Sequence, residues 1–200
     1  MSGPTPLVSR ARMMPQGKPV DPSDFKTLRR INSANHARFL TFSCYHNLPL
    51  LGADPIRRVF VESLDRARTR HRFLLISWVV MPTHVHLMIM PPPPHGVIRD
   101  ILFAIKTPFA RRVLARWREL DARVLAKIRD ASGQAHFWQS GGGYDRNIVS
   151  SEEFHEKNDY IHRNPVAAGL VAREVDWPWS SARWYAGVRN GMIECDPLRP

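Results

Sequence analysis

The stretch from Phe73 to Met90 limits what this chain can fold into more than any other. Phe73-Leu74-Leu75-Ile76-Ser77-Trp78-Val79-Val80 is apolar, branched and aromatic, and a second run of that kind goes from His84 to Met90 after Met81-Pro82-Thr83. Runs of this length and make-up predict two buried strands, joined by a tight turn at Pro82. Pro91 to Pro94 ends the second strand, because proline donates no ladder hydrogen bond. An earlier strand is predicted from Arg38 to Tyr45, ending at Asn47 and Pro49. Between them Asp54-Pro55 supplies a helix N-cap and first residue, and Ile56, Val59, Phe60, Ser63, Leu64 and Ala67 recur at helical spacing. Arg57, Arg58, Arg66, Arg68 and Arg70 form the other face of that helix.

A second helix follows the prolines, with Val97, Ile98, Ile101, Leu102, Ile105, Phe109, Val113, Trp117 and Leu120 on its apolar side and Pro108 restarting or kinking it. After Gly141-Gly142-Gly143 a short strand is predicted from Tyr144 to Val149. Ser150 with Glu153 is a capping-box signature for a helix from about Ser151 to Arg163, which Pro165 and Gly169 end. The order strand, helix, strand, strand, helix, strand, helix predicts an α+β fold, an antiparallel sheet with helices packed on one face. Residues 1–35, with Pro4, Pro6, Pro15, Pro19 and Pro22, predict a disordered basic arm, 36–185 the folded domain and 186–200 a tail. Trp177, Trp179, Trp184 and Tyr185 are expected to pack back onto the domain.

Two constellations could do chemistry. On a strand, His84 and His86 point from one face while Val85 and Leu87 point from the other, so two imidazoles converge as a divalent metal requires. A structural role for the pair is the alternative. In Asp159-Tyr160-Ile161-His162-Arg163-Asn164-Pro165, Tyr160 and Asn164 lie one above the other on a helix. The amide could complete a metal site while the phenol attacks an electrophile. Otherwise Tyr160 packs on the core and Asn164 caps the helix end.

Composition narrows the partners. Lys and Arg total 29 against 18 Asp and Glu, a formal net charge of +11, which attracts polyanions and makes nucleic acid the expected partner. Lys106, Arg111 and Arg112 on the second helix, and Arg163 beside Tyr160, are candidate DNA contacts. Two cysteines, Cys44 and Cys195, exclude a disulfide scaffold and a cysteine-built zinc site, and fit a reducing cytoplasm. No apolar run is long enough for a membrane span, and the N-terminal residues lack the apolar segment of a signal peptide. Trp138, Gln139 and Tyr144 could stack on bases or anchor a loop, and Arg38, Tyr45 and His46 could touch DNA or serve the first strand.

The motifs Trp78-Val79-Val80-Met81-Pro82-Thr83-His84-Val85-His86-Leu87, then Asp159 to Val171, then Trp177-Pro178-Trp179-Ser180-Ser181, together resemble the single-tyrosine HUH transposases of the IS200/IS605 type. More narrowly, they resemble the REP-associated tyrosine transposases. The resemblance spans about Arg38 to Tyr185. It implies a ferredoxin-like or RRM-like sheet and a Mg²⁺ or Mn²⁺ ion held by His84, His86 and Asn164, with Tyr160 as catalytic nucleophile. It also implies a substrate of single-stranded DNA bearing a REP-like hairpin, and a monomer or homodimer. Attack by the tyrosine would expel a 3′-hydroxyl and leave a 5′-phosphotyrosine, which a second 3′-hydroxyl can reverse. A phenol ordinarily titrates near pH ~10, so a nearby cation or base has to assist; Arg163, His162 and the metal are the candidates. A catalytically silent DNA- or RNA-binding regulator on the same scaffold is the alternative. An RRM-type RNA binder would show aromatics where this strand has imidazoles.

Overall fold

Strand alternation in the central hairpin settles the layers. The computed structural model describes residues 36–93, 97–141, 143–189 and 191–196; the predicted 1–35 arm lies outside them. Its elements are β1 Arg38–Ser43, α1 Asp54–His71, β2 Leu74–Val80, β3 His84–Met90, α2 Ile98–Glu119, β4 Tyr144–Asn147, α3 Ser151–Ala167 and α4 Ala182–Tyr185. The four strands form one antiparallel sheet in the order β2-β3-β1-β4. Met81 N–H donates to His84 O at 2.8 Å, closing the hairpin at Pro82 as expected.

In β3, Val85, Leu87 and Ile89 point to one face and join Leu40 and Phe42 of β1 in the larger core. That face is covered by α1 and α2 through Phe60, Leu64, Ile101, Ile105 and Phe109, all buried. Burying each such side chain stabilises the fold by roughly 1.5–3 kcal/mol. The α+β antiparallel class is the expected one. The helices, however, are divided: α1 and α2 share this face, while α3 lies across the other. There Ile161 and Phe154 meet Phe39, Ile76, Val79 and Met88 in a second, smaller cluster. Odd and even residues of β1 and β3 are both apolar, so both faces had to be covered.

Several local expectations are corrected. Asp54 is not the N-cap of α1; Ala53 is, without a side-chain bond. The Asp54 carboxylate instead accepts from Arg57 Nη1 at 2.7 Å and from the Trp179 indole N–H at 2.9 Å. Arg57 therefore leaves the solvated face: it is buried, with its guanidinium 4.9 Å from the centre of the Trp177 ring and 5.8 Å from that of Trp179. Pro108 does not interrupt α2, which runs through it with the proline ring exposed. At α3, Ser150 accepts from Glu153 N–H as the capping box predicts. The helix continues past Arg163 to Ala167, through Pro165. Gly169, at φ +69°, then lets its own N–H reach Val166 O and the Leu170 N–H reach Pro165 O.

The tryptophan segment packs back on the domain and does more than fill space. Val80 N–H donates to Trp179 O at 2.8 Å and Ser181 N–H to Trp78 O at 2.9 Å, so this segment satisfies the outer edge of β2. Farther on, Asp196 N–H donates to Leu75 O, the Asp196 carboxylate accepts from Leu75 N–H, and Ile193 and Cys195 are buried. The body thus continues past residue 185. No described helix is long and apolar enough to cross a membrane. Replacing Trp179 by Ala removes a buried indole, its bond to Asp54 and one side of the Arg57 cage. The expected loss is about 3–5 kcal/mol, read as a lower urea midpoint at unchanged m-value.

Candidate active site

The face of the sheet under α3 holds the sequence-predicted cluster. His84 and His86 stand on β3 with ring centroids 4.7 Å apart, His86 buried and His84 partly so. Opposite them on β1 the register pairs Thr41 with His86 and Ser43 with His84. Thr41 Oγ1 lies 2.7 Å from His86 Nδ1, and Thr83 Oγ1 lies 2.9 Å from His84 Nδ1. From α3, Asn164 Nδ2 lies 3.3 Å from His86 Nε2, and the same amide is hydrogen-bonded to His84. One turn before it, the Tyr160 ring packs edge-on against His86, centroids 5.2 Å apart, and remains half exposed. Four predicted residues, far apart in the chain, therefore meet.

The electrostatics favour neutral imidazoles. Burial pushes His84 below its ordinary value, with its hydrogen bond to the Asn164 amide pulling the other way. Burial lowers His86 well below the ordinary range, helped by repulsion from a charged His84. With Asn164 Nδ2 donating to His86 Nε2, that nitrogen is an acceptor, and the ring proton sits on Nδ1, where the Thr41 hydroxyl accepts it. This is the state in which an imidazole ligates a metal, with its second nitrogen held by an oxygen. Among the described residues no three His, Cys, Asp or Glu side chains form a metal cage. The third donor on this face is the amide of Asn164. Two neutral imidazoles and an amide oxygen fit a divalent ion with positions left open for substrate.

Phe39 supports both halves of the cluster. Its ring stacks on His86 at 5.6 Å and 17°, and meets Tyr160 edge-on at 5.9 Å. Tyr144 touches the same ring at 5.9 Å, and Lys157 Nζ lies 6.0 Å from its centre. Lys157, one turn before Tyr160, is a cation over the same Phe39 ring that the sequence did not single out, and it pairs with Glu156 at 2.8 Å. A Cβ at Gly143 would collide with the Thr41 carbonyl oxygen, so glycine there, at φ +69°, keeps β1 and its Thr41 hydroxyl in place. Thr41 and Phe39 could have been found only through the strand register, which sequence alone leaves open, whereas Thr83 adjoins His84 in the chain.

Other candidates fall elsewhere. Lys106, Arg111 and Arg112 are on α2, across the sheet from Tyr160. Lys106 Nζ lies 5.4 Å from the Phe42 ring centre, and Arg112 bonds Glu62 of α1 at 2.7 Å. Arg163 is exposed one turn beyond Tyr160, 4.0 Å from Glu174. His162 turns away from the site: its Nε2 lies 2.8 Å from Ser181 Oγ and its ring packs on Tyr185. Trp138 is a core residue among Phe42, Phe60 and Phe137, with its N–H on Lys106 O, so the anchoring alternative holds. Arg38 is buried in an ion pair with Asp145 at 2.7 Å, which ties β1 to β4.

A family profile described as "Transposase IS200 like" matches residues 40–164, a span that contains every residue of this cluster except Phe39. The chain belongs to that family. Among solved structures it is similar to a REP-associated tyrosine transposase bound to a REP hairpin, at 18% identity and a TM-score of 0.64, covering 88% of this chain and 100% of the other. That likeness bears on the fold. A putative transposase from Deinococcus radiodurans R1 also matches, at 20% identity and a TM-score of 0.45, over 69% of this chain and 96% of the other. A comparison with curated proteins found no match.

Burial holds His162 down to about 4, against the pull of Asp159 and Glu174. An unfolded histidine titrates near pH ~6.5, so between that pH and about 4 the unfolded chain binds the extra proton and the folded one does not. Stability is therefore expected to fall as pH drops through this window, by up to about 3 kcal/mol from this group. Urea midpoints measured across it should show a shallower slope in His162→Gln than in wild type.

Proposed function

We propose that this IS200-like transposase is a metal-dependent endonuclease and strand transferase for single-stranded DNA carrying a hairpin, with Tyr160 as nucleophile. The observation that supports it most is the contact of two elements: the Tyr160 ring lies against His86, while Asn164, from the same face of α3, bonds that imidazole. A phenol is thereby held beside two imidazoles and an amide that can serve as donors for a divalent ion. His84, His86 and Asn164 would hold Mg²⁺ or Mn²⁺. When bound, such an ion neutralises charge on a phosphate oxygen and orients the phosphodiester for in-line displacement.

The chain's own residues do the rest. Thr41 and Thr83 keep the imidazole rings oriented, and burial keeps both rings uncharged. Phe39 limits the swing of the Tyr160 ring, so the phenol oxygen approaches phosphorus from a restricted direction. The Tyr160 oxygen forms the new bond to phosphorus, the bond from phosphorus to the 3′-oxygen breaks, and that oxygen leaves as a 3′-hydroxyl, taking up a proton. The 5′-phosphotyrosine retains a phosphodiester. A 3′-hydroxyl from another end attacks it, releases the phenol and joins the strands. Lys157 and Arg163 are the cations on α3 nearest in sequence to the phenol; His162 is excluded as its base by its bond to Ser181. Substrate choice follows from the similar structure's REP hairpin and from the net charge of +11.

Incubating wild type and Tyr160→Phe with end-labelled hairpin DNA from the region flanking the gene, with Mn²⁺ or EDTA, tests the reading. A denaturation-resistant adduct is expected only with Mn²⁺ and only in wild type. Tight binding without any adduct would favour the silent regulator. The metal site has its own check: Thr41→Val removes the oxygen on His86 Nδ1 and is expected to weaken Mn²⁺ binding about 10- to 100-fold by calorimetry. Unchanged affinity would mean that the Thr41 hydroxyl does not orient a metal-binding imidazole.

A further inference from the structure

The sheet end that carries His84 also carries a stack of three rings that the site above does not use. Just beyond Ser43, the residue opposite His84, Cys44 N–H donates to Thr83 O at 2.8 Å, and the chain enters a short 3-10 turn, Tyr45–Asn47. The His46 imidazole lies on the Tyr45 ring with centroids 4.0 Å apart and planes 18° from parallel. Tyr45 in turn leans on His136 at 5.4 Å and 30°. The far end of the stack is anchored. His136 Nε2 lies 2.6 Å from Asp130 Oδ2, and Asp130 Oδ1 accepts from the Ser132 N–H and hydroxyl and from the Gln134 N–H. The near end is open: His46 is exposed, whereas Tyr45 and His136 are partly buried.

Backbone cost accompanies this arrangement. His46 sits at φ 52°, ψ 27° and Asn47 at φ 53°, left-handed conformations that side-chain-bearing residues rarely adopt in succession. Gln139 Oε1 accepts from His46 N–H at 3.1 Å and helps hold the turn. Strain of this kind is retained where something else requires the shape. His46 gains no buried contact from it; what the turn achieves is to present one flat π face to solvent. Arg129 is exposed beside Asp130 and pairs across from Ala135, next to His136. Arg129 thus belongs to the anchored end of the stack, away from the open His46 face.

We propose that the outer face of His46 is a stacking site for one unpaired nucleobase of the DNA strand that passes His84. This rests on the reading of the chain as a single-stranded DNA enzyme. It adds a binding position beyond the end of β1, where Tyr45 packs on the larger core, for a nucleotide that reaches round the sheet end from His84. Stacking accepts any base, since every base has a π face, so the site would position the strand without reading its sequence.

The test uses the full chain with EDTA, so that binding is read without cleavage. Hairpins from the DNA flanking the gene carry 2-aminopurine at one unpaired flank position at a time, and fluorescence and affinity are followed for wild type, His46→Ala and His46→Trp. The expected result is quenching at one flank position that His46→Ala abolishes and His46→Trp restores or deepens. Affinity should drop about 5- to 100-fold in His46→Ala. A wild type that binds and quenches equally well after His46→Ala overturns this site and leaves the DNA reading standing. A wild type that binds none of the hairpins overturns both.

Discussion

The register between β1 and β3 is the constraint on which the remainder depends. With Thr41 opposite His86 and Ser43 opposite His84, the imidazoles face α3 and their hydroxyl partners are in reach. A slip of one residue would turn Val85 and Leu87 toward Tyr160 and bury both histidines under α1 and α2. Register is held by apolar side chains on both faces, by the buried Arg38–Asp145 pair linking β1 to β4, and by Gly143, whose missing side chain lets the next loop lie against Thr41. The chemical cluster is thus a by-product of core packing, and no separate framework is needed to hold it.

Position along the sheet also divides labour between faces. α1 and α2 bring most of the basic side chains of the helices, including Arg111 and Arg112, to the side away from Tyr160. The α3 side has the imidazoles and the phenol. A strand bound by both surfaces would have to cross an edge of the sheet. The β2 edge is occupied by Trp179 to Ser181 and by Asp196, which directs any such crossing elsewhere.

Much of this was legible in the sequence, for identifiable reasons. Period-two alternation showed that His84 and His86 share a face, and the spacing of four showed the same for Tyr160 and Asn164. Both rules are local. The capping box at Ser150 was likewise local and was present. Placement of α3 opposite the other helices was not legible, because apolar residues on both faces of β1 and β3 do not say which helix covers which. Asp54 looked like a cap because its sequence context is that of one; a tryptophan 125 residues later claimed its carboxylate. Arg57 was assigned to solvent for the same reason, its partners Trp177 and Trp179 being distant in the chain. Thr41, which orients His86, is an ordinary strand residue until the pairing is known.

The clamp of the last described residues on β2 bears on when the protein becomes competent during synthesis. A ribosome emitting this chain releases both imidazoles long before the phenol and its neighbouring amide. The strand that flanks β3 stays unsealed until the residues around Trp179, and then Asp196, have emerged. A prematurely terminated chain would therefore hold one half of the chemistry on an open-edged sheet. Chain growth thus completes the cluster late, Tyr160 and Asn164 joining a sheet whose imidazoles are already in place and whose edge is sealed last.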